Sequence, residues 1–179
     1  KSVVHEFSFA QGGWIEREAF SAANLIRELR LHPGQFRELY FTKDMPLLTN
    51  GPRELKADCG RLTTSEAQSL AHILRSDRGL RVLLLQNIKL SDTAVAHLFS
   101  ALKGPRAAGL QSLSLLSMDL IGELELAIAD MLRTSSWVQN LSLSGSSFSI
   151  QGAASVASAL RFNTNLEKLD LENSNFLDA

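Results

Sequence analysis

The sequence predicts an α/β chain built as a horseshoe segment, with parallel strands on its concave face and helices on its convex face. Three observations carry that reading. Leucine occurs 32 times in 179 residues, about twice its usual share, and an excess of one residue type points to a repeat. The string apolar-x-x-apolar-x-apolar recurs as Leu80-x-x-Leu83-x-Leu85, Leu110-x-x-Leu113-x-Leu115, Val138-x-x-Leu141-x-Leu143 and Leu166-x-x-Leu169-x-Leu171, with starts 30, 28 and 28 residues apart. A second block follows each string at helical spacing: Leu98, Phe99, Leu102; then Ile128, Ala129, Leu132; then Val156, Ala157, Leu160.

The first block alternates with period two and reads as a short strand. The second puts three side chains on one helical face. A further apolar residue lies five positions after the third anchor of each strand, at Leu90, Leu120, Phe148 and Phe176. Each unit is therefore strand, turn, helix, turn.

From the N-terminus, Val4-x-x-Phe7-x-Phe9 reads as the first strand, with Trp14 in the later apolar slot. Its helix, Glu16 to Leu31, turns Leu25, Ile26 and Leu29 inwards and stops at His32-Pro33-Gly34. Phe36-x-x-Leu39-x-Phe41 is the next strand, and only 16 residues separate Phe36 from Pro52, too few for a helix. Thr42 to Gly51 is read as an irregular loop, supported by the turn formers Pro46, Asn50, Gly51 and Pro52. The unit beginning at Pro52 offers Leu55, Ala57 and Leu62 as strand-slot residues and Leu70, Ala71 and Leu74 as the helix face. The full reading is seven strands and five helices in one array over 1–179. It comprises a divergent unit (1–35), a short irregular unit (36–51) and regular repeats of 28–30 residues (52–179). A unit of this size cannot bury its own leucines, so neighbours must stack into a continuous core, bent towards the thinner strand side.

These residues resemble the leucine-rich repeat family, and the period with a full helix is similar to its ribonuclease-inhibitor-like subclass. That subclass includes the sensor arrays of nucleotide-binding immune receptors, the Ran GTPase-activating protein and tropomodulin-type actin regulators. The stretch Ala159-Leu160-Arg161-Phe162-Asn163-Thr164-Asn165-Leu166-Glu167-Lys168-Leu169-Asp170-Leu171 resembles the helix-to-strand junction of that group. The resemblance runs from Val4 to Phe176 and implies a leucine-rich repeat solenoid in a cytoplasmic host, such as an innate-immune sensor or a cytoskeletal regulator. It implies no cofactor. One slot departs from the pattern. Three residues after the third anchor, where the family places a backbone-bonding Asn or Cys, this chain has Gly60, Ile88, Met118, Ser146 and Ser174. Ile88 and Met118 cannot bond backbone, so local deviation is expected there.

Catalytic and cofactor signatures are missing from the sequence. Gly12-Gly13 and Gly145-Ser146-Ser147 lack the spacing and the lysine of a phosphate loop. His5, His32, His72 and His97 fall in different units, without Cys or carboxylate at metal-ligand spacing. Cys59 has no His or Asn in register and reads as a structural thiol; one cysteine excludes a disulfide framework. No nucleophile elbow surrounds Ser142, Ser144, Ser146 or Ser147. Asn140-Leu141-Ser142 is a glycosylation sequon, a triplet frequent by chance, on an inner strand of a chain expected to be cytosolic. The chain reads as a non-enzyme with no catalytic, cofactor or metal residues. A net charge of −1 gives no field for nucleic acid or acidic lipid, and the apolar runs are too short to cross a bilayer. The absence of an initiator Met and of a signal-like stretch reads as a piece excised from a longer protein.

What remains is a face. Residues between the strand anchors point into the concavity. One row is Ser8, Tyr40, Lys56, Leu84, Ser114, Ser142 and Asp170; the next is Ala10, Thr42, Asp58, Gln86, Leu116, Ser144 and Glu172; the third is Glu6, Glu38, Glu54, Val82, Ser112, Asn140 and Lys168. Val82, Leu84 and Leu116 form an apolar centre with a polar rim, the pattern of a protein-binding patch, or of a surface covered by loop 42–51 or by another domain. The partner-binding candidates are Tyr40, Lys56, Val82, Leu84, Gln86, Ser114, Leu116, Ser142, Asp170 and Glu172.

A second feature is the lack of charge from Thr134 to Leu160, where no Asp, Glu, Lys or Arg occurs and Ala153 to Ala159 are nearly all small. Glu123, Glu125 and Asp130 supply the exposed charge of the preceding helix. The bare helix allows a homo-oligomer or an intramolecular domain contact, or is simply an uncharged surface. The expected function is a protein–protein interaction module using its concave strand face. The competing expectations are a GTPase-activating surface, with Arg53, Arg61 or Arg81 on loops, and an autoinhibitory surface packed on another domain. An open last strand is expected to expose Leu169 and Leu171, and Val4, Phe7 and Phe9 face the same problem at the other end.

Overall fold

Alternating leucines and serine-capped amphipathic segments build a mixed α/β architecture. The computed structural model describes residues 3–8, 13–18, 21–43, 54–103 and 109–177, with side chains for 21–43, 57, 59–103 and 109–177. Strands β1 (Val3–Ser8) and β2 (Gly13–Glu18) come first, followed by α1 (Ala22–Leu31), β3 (Glu38–Thr42) and β4 (Glu54–Asp58). Next are β5 (Arg61–Leu62), α2 (Thr64–Ser76), β6 (Val82–Gln86), β7 (Lys89–Leu90), α3 (Asp92–Leu102) and β8 (Ser112–Leu116). The chain continues with α4 (Glu123–Thr134), β9 (Asn140–Ser142), β10 (Ser147–Ser149), α5 (Ile150–Leu160), β11 (Lys168–Asp170) and β12 (Asn175–Leu177).

Six parallel strands form the main sheet in the order β11-β9-β8-β6-β3-β4. The second anchors stand in register across it: Leu55, Leu39, Leu83, Leu113, Leu141 and Leu169. The later apolar slot builds separate parallel ladders, with Leu62 opposite Leu90 and Phe148 opposite Phe176. Within β6 and β8 every second residue is buried. Those leucines share one core cluster with the inner faces of α1 to α5, and each fully buried one contributes about 1.5–3 kcal/mol of transfer free energy.

Local chemistry sets the helix ends. Ser21, Thr63, Ser91 and Ser149 are N-caps whose side chains accept the amide three residues on. At the other end, Trp137 Nε1 donates to Leu102 O at 2.8 Å and Asn163 Nδ2 to Leu132 O at 2.7 Å. A side chain from the next unit thus satisfies a terminal carbonyl of α3 and of α4. The turn after each regular strand also repeats. Asn87, Ser117, Gly145 and Asn173 all have positive φ, two residues past the third anchor.

Four expectations are corrected. Val4 to Phe9 does not start the array: β1 pairs antiparallel with β2 as a hairpin, Phe7 opposite Trp14. The helix read from Glu16 begins at Ala22, because residues up to Glu18 are strand and Ser21 supplies the cap. The main-sheet strands do not follow chain order, since β3 lies between β4 and β6; its Leu39 matches the leucine register of both neighbours. Ala157 is exposed and the inner face of α5 is Gly152, Val156 and Ala159, because α5 packs on α4 alone among the helices. The loop residues Pro46, Asn50, Gly51 and Pro52, and also Phe9 and Ala10, lie outside the described residues. So do the side chains of Val4, Phe7, Trp14 and Leu55.

Candidate functional site: the strand face of the sheet

The strand residues between the anchors stand on the face opposite the helical core. Cross-strand registration joins Lys56, Tyr40, Leu84, Ser114, Ser142 and Asp170 into one row. Val82 lies between Glu38 and Ser112 in the adjacent row, and Gln86 between Thr42 and Leu116 in the third. Strand order changes one neighbour that chain order suggested: Tyr40 adjoins Leu84, and Lys56 lies beyond Tyr40 at the edge. The side chain of Lys56 is outside the described residues, as are those of Glu54 and Asp58. Ser8 belongs to the hairpin, so the row does not include it.

Tyr40, Val82, Leu84, Gln86, Ser114, Leu116 and Ser142 are all half-buried. Adjacent strands stand about 4.8 Å apart, so Tyr40, Leu84, Val82, Gln86 and Leu116 form one contiguous, mainly apolar patch. The Tyr40 hydroxyl donates to Glu38 Oε2. Thr42 Oγ1 and Gln86 Oε1, on adjacent strands, are buried with no hydrogen-bond partner. Unsatisfied oxygens of this kind cost about 1–3 kcal/mol each.

Beyond Ser114 the face is polar and tied down. Ser142 Oγ donates to Asp170 Oδ2 at 2.9 Å, and the Glu172 amide donates to Asp170 Oδ1 at 3.0 Å. The amide, then the hydroxyl, hold the Asp170 carboxyl below its usual pKa against some desolvation, with Lys168 adding attraction. Glu172 is exposed, and its carbonyl accepts Ser144 Oγ at 2.8 Å.

At Met118, one of the two turns expected to deviate, a serine supplies the missing bond. Ser146 is fully buried; its Oγ donates to Leu115 O at 3.0 Å and accepts the Met118 amide at 3.1 Å. The amide that Met118 cannot satisfy itself is thus satisfied from the next unit. Ser174 Oγ donates likewise to Leu143 O at 3.1 Å. Ile88 and Met118 are buried apolar side chains.

Glu125 corrects another expectation. It is 4% exposed, and its carboxylate accepts both the backbone N–H and the hydroxyl of Ser149 at the N-terminus of α5. A Cβ at Gly152 would collide with that carboxylate. The small residue at the start of the charge-poor helix is therefore required by a buried charge on its neighbour.

Cys59 is half-buried against the core and forms no disulfide. Among the described residues no group of three or more His, Cys, Asp and Glu could hold a metal ion, and no helix is long and apolar enough to cross a membrane. At the β11 end Leu169 is half-buried, while Leu171, Phe176 and Leu177 are exposed; Phe176 stacks on Phe148 at 5.8 Å between ring centres. Two exposed apolar residues, Ile121 and Leu126, were not singled out by the sequence reading. The signal was there: Ile121 falls where other units have a capping Ser or Thr. The sequence matches no protein-family model, and no curated protein matches it significantly.

Proposed function

We propose that this chain is a segment of a leucine-rich repeat solenoid of the ribonuclease-inhibitor-like kind, working as a non-catalytic module that binds a protein partner through its strand face. The host in this proposal is a cytoplasmic regulatory or innate-immune sensor protein. The repeat reading is supported by the in-register leucines, the recurring positive-φ turn and the serines that bond backbone across units. The observation that carries the functional reading is the contiguous patch of Tyr40, Val82, Leu84 and Leu116, half-buried side chains brought together on adjacent strands. An apolar centre with a polar rim suits a protein surface.

The test is a quantitative pull-down from cytosolic extract with the wild-type chain and with Leu84→Asp/Leu116→Asp, after circular dichroism has established equal folding. Proteins lost selectively with the double variant support strand-face recognition. If every captured protein persists, the strand face is not the binding surface.

A further inference from the structure

The outer face carries a second anomaly. The α2–α3 contact is tied by the hydroxyls of Thr64 and Thr93 at 2.9 Å and by Arg75 to Ser100 at 2.7 Å. The α4–α5 contact is locked by Glu125 on Ser149 and Gly152. Between α3 and α4, among the described residues, the one such tie is Lys103 to Asp130, 2.5 Å apart at their C-terminal ends. A cavity of about 400 Å³ opens along this seam, and a second of about 460 Å³ lies at its lower end among the turns that precede α3 and α4. Asp92 and Val95 line both, so the second continues the crevice of the first.

The seam coincides with a break in the capping rule. Six residues past the third anchor the chain places Thr63, Ser91, Ile121 and Ser149. Isoleucine cannot accept an amide, so α4 starts one residue later, at a Gly122 N-cap with φ 85° and no side-chain cap. Ile121 is 47% exposed and lines one cavity; Leu126 is 53% exposed and lines the other. A local rule broken by an exposed hydrophobe marks a surface kept for something other than stability.

The charges give the crevice a direction. Asp92, Asp119 and Glu123 outnumber Lys89 at the end where the helices begin, and Lys103 and Arg133 outnumber Asp130 where they finish. We propose that the α3–α4 seam docks an amphipathic helix of a protein partner, antiparallel to both. Its apolar side chains sit between Ile121 and Leu126, its acidic first turn meets Lys103 and Arg133, and its basic last turn meets Asp92 and Glu123. Antiparallel packing also opposes the helix dipoles favourably. The groove helices have 11 and 12 residues, so three turns, about 16–18 Å, suffice. This site is distinct from the strand face and stands without it.

The test is a selection of phage-displayed random 16-residue peptides on the full chain, followed by titration of the best peptide and of a twin with its terminal charges exchanged. The expected winner is an amphipathic helix, acidic first and basic last, that binds at least tenfold more tightly than its twin. Its affinity falls at least tenfold on Leu126→Glu and on Ile121→Ser, and stays unchanged on Leu84→Asp. Ile121→Ser guards against a folding artefact, because the restored cap raises the melting temperature while binding is lost. The proposal is overturned if no seam-dependent peptide is enriched, if the twin binds equally, if Leu84→Asp abolishes binding, or if sedimentation shows a second copy of the chain occupying the seam.

Discussion

The contact between Glu125 and Gly152 makes a quantitative prediction that tests how α4 and α5 are joined. Glu125→Ala removes a buried carboxylate that accepts two hydrogen bonds from Ser149 and leaves that residue's backbone N–H without its acceptor. Hydrogen bonds to charged groups contribute about 1.5–3 kcal/mol each, and much of the second is recovered by water at a helix start, so the expected cost is about 2–3 kcal/mol. Gly152→Ala alone places a methyl group inside the carboxylate. It must expel Glu125 and lose the same bonds, offset by up to ~1 kcal/mol of helix propensity, for a net cost of about 2–3 kcal/mol with strain included. In the double variant the space is vacant, so the methyl group introduced into α5 recovers its helix propensity and the total falls to about 1–2 kcal/mol. The cycle thus predicts a coupling energy near 3 kcal/mol, readable from urea denaturation followed by circular dichroism. Costs that add to within about 0.5 kcal/mol would refute the reasoning.

Other outcomes follow from the same geometry. Ser146→Ala strands a buried carbonyl and a buried amide and is expected to cost about 2–4 kcal/mol, while Ser174→Ala, part-exposed with one bond, costs about 1 kcal/mol or less in the same denaturation assay. Ile121→Thr restores a side-chain cap to α4 and stabilises by about 0.5–1 kcal/mol, seen as a higher melting temperature. Because the Asp170 pKa is lowered in the folded chain, its contribution is present above the unfolded aspartate value and is lost as pH falls through the depressed one. The stability gap between wild type and Asp170→Asn therefore narrows as pH is taken from 7 towards 2; a gap that widens on acidification contradicts the assignment. Asn163→Ala frees the Leu132 carbonyl and the amides of Asn165 and Leu166, and hydrogen exchange at those two amides should rise.

Period and side-chain class made most of the sheet legible in the sequence. Leu83, Leu85, Leu113, Leu115, Leu141 and Leu143 are buried where alternation puts them, and the helix faces of α2, α3 and α4 follow from offsets of 1, 3 and 4. Strand order was not legible, since Leu39 fits equally well beside Leu55 and Leu83 and the anchor pattern carries no directional information. The hairpin was missed because Val4, Phe7 and Phe9 satisfy the strand motif of a unit whose helix starts late; the capping Ser21 was the better boundary signal. The role of Glu125 was hidden for a deeper reason. At a helix position that suits solvent, a carboxylate reads as surface charge, and only the missing side chain at Gly152, 27 residues on, signals that something occupies the space.

That pairing also bears on how the two proposed surfaces are kept apart. The strand-face patch and the α3–α4 crevice belong to the same units, yet between them lies a layer of fully buried anchors, Leu83, Leu85, Leu98 and Leu113 among them. A packed layer of this density transmits displacement only by changing rotamers or creating voids, each of which costs more than a surface contact returns. Among the described side chains, the buried polar groups are tied to backbone or stand at the margins of that layer: Ser146 is bonded to Leu115 O and the Met118 amide, and Asp77 to the amides of Gly34, Gly79 and Leu80. Glu125 is held by α5, Thr42 and Gln86 stand on the strand face itself, and Ser135 follows the end of α4. Leu84→Asp and Leu126→Glu should therefore act additively on any partner that touches both surfaces, and a coupling above about 0.5 kcal/mol in that cycle would mean the core between them has two states.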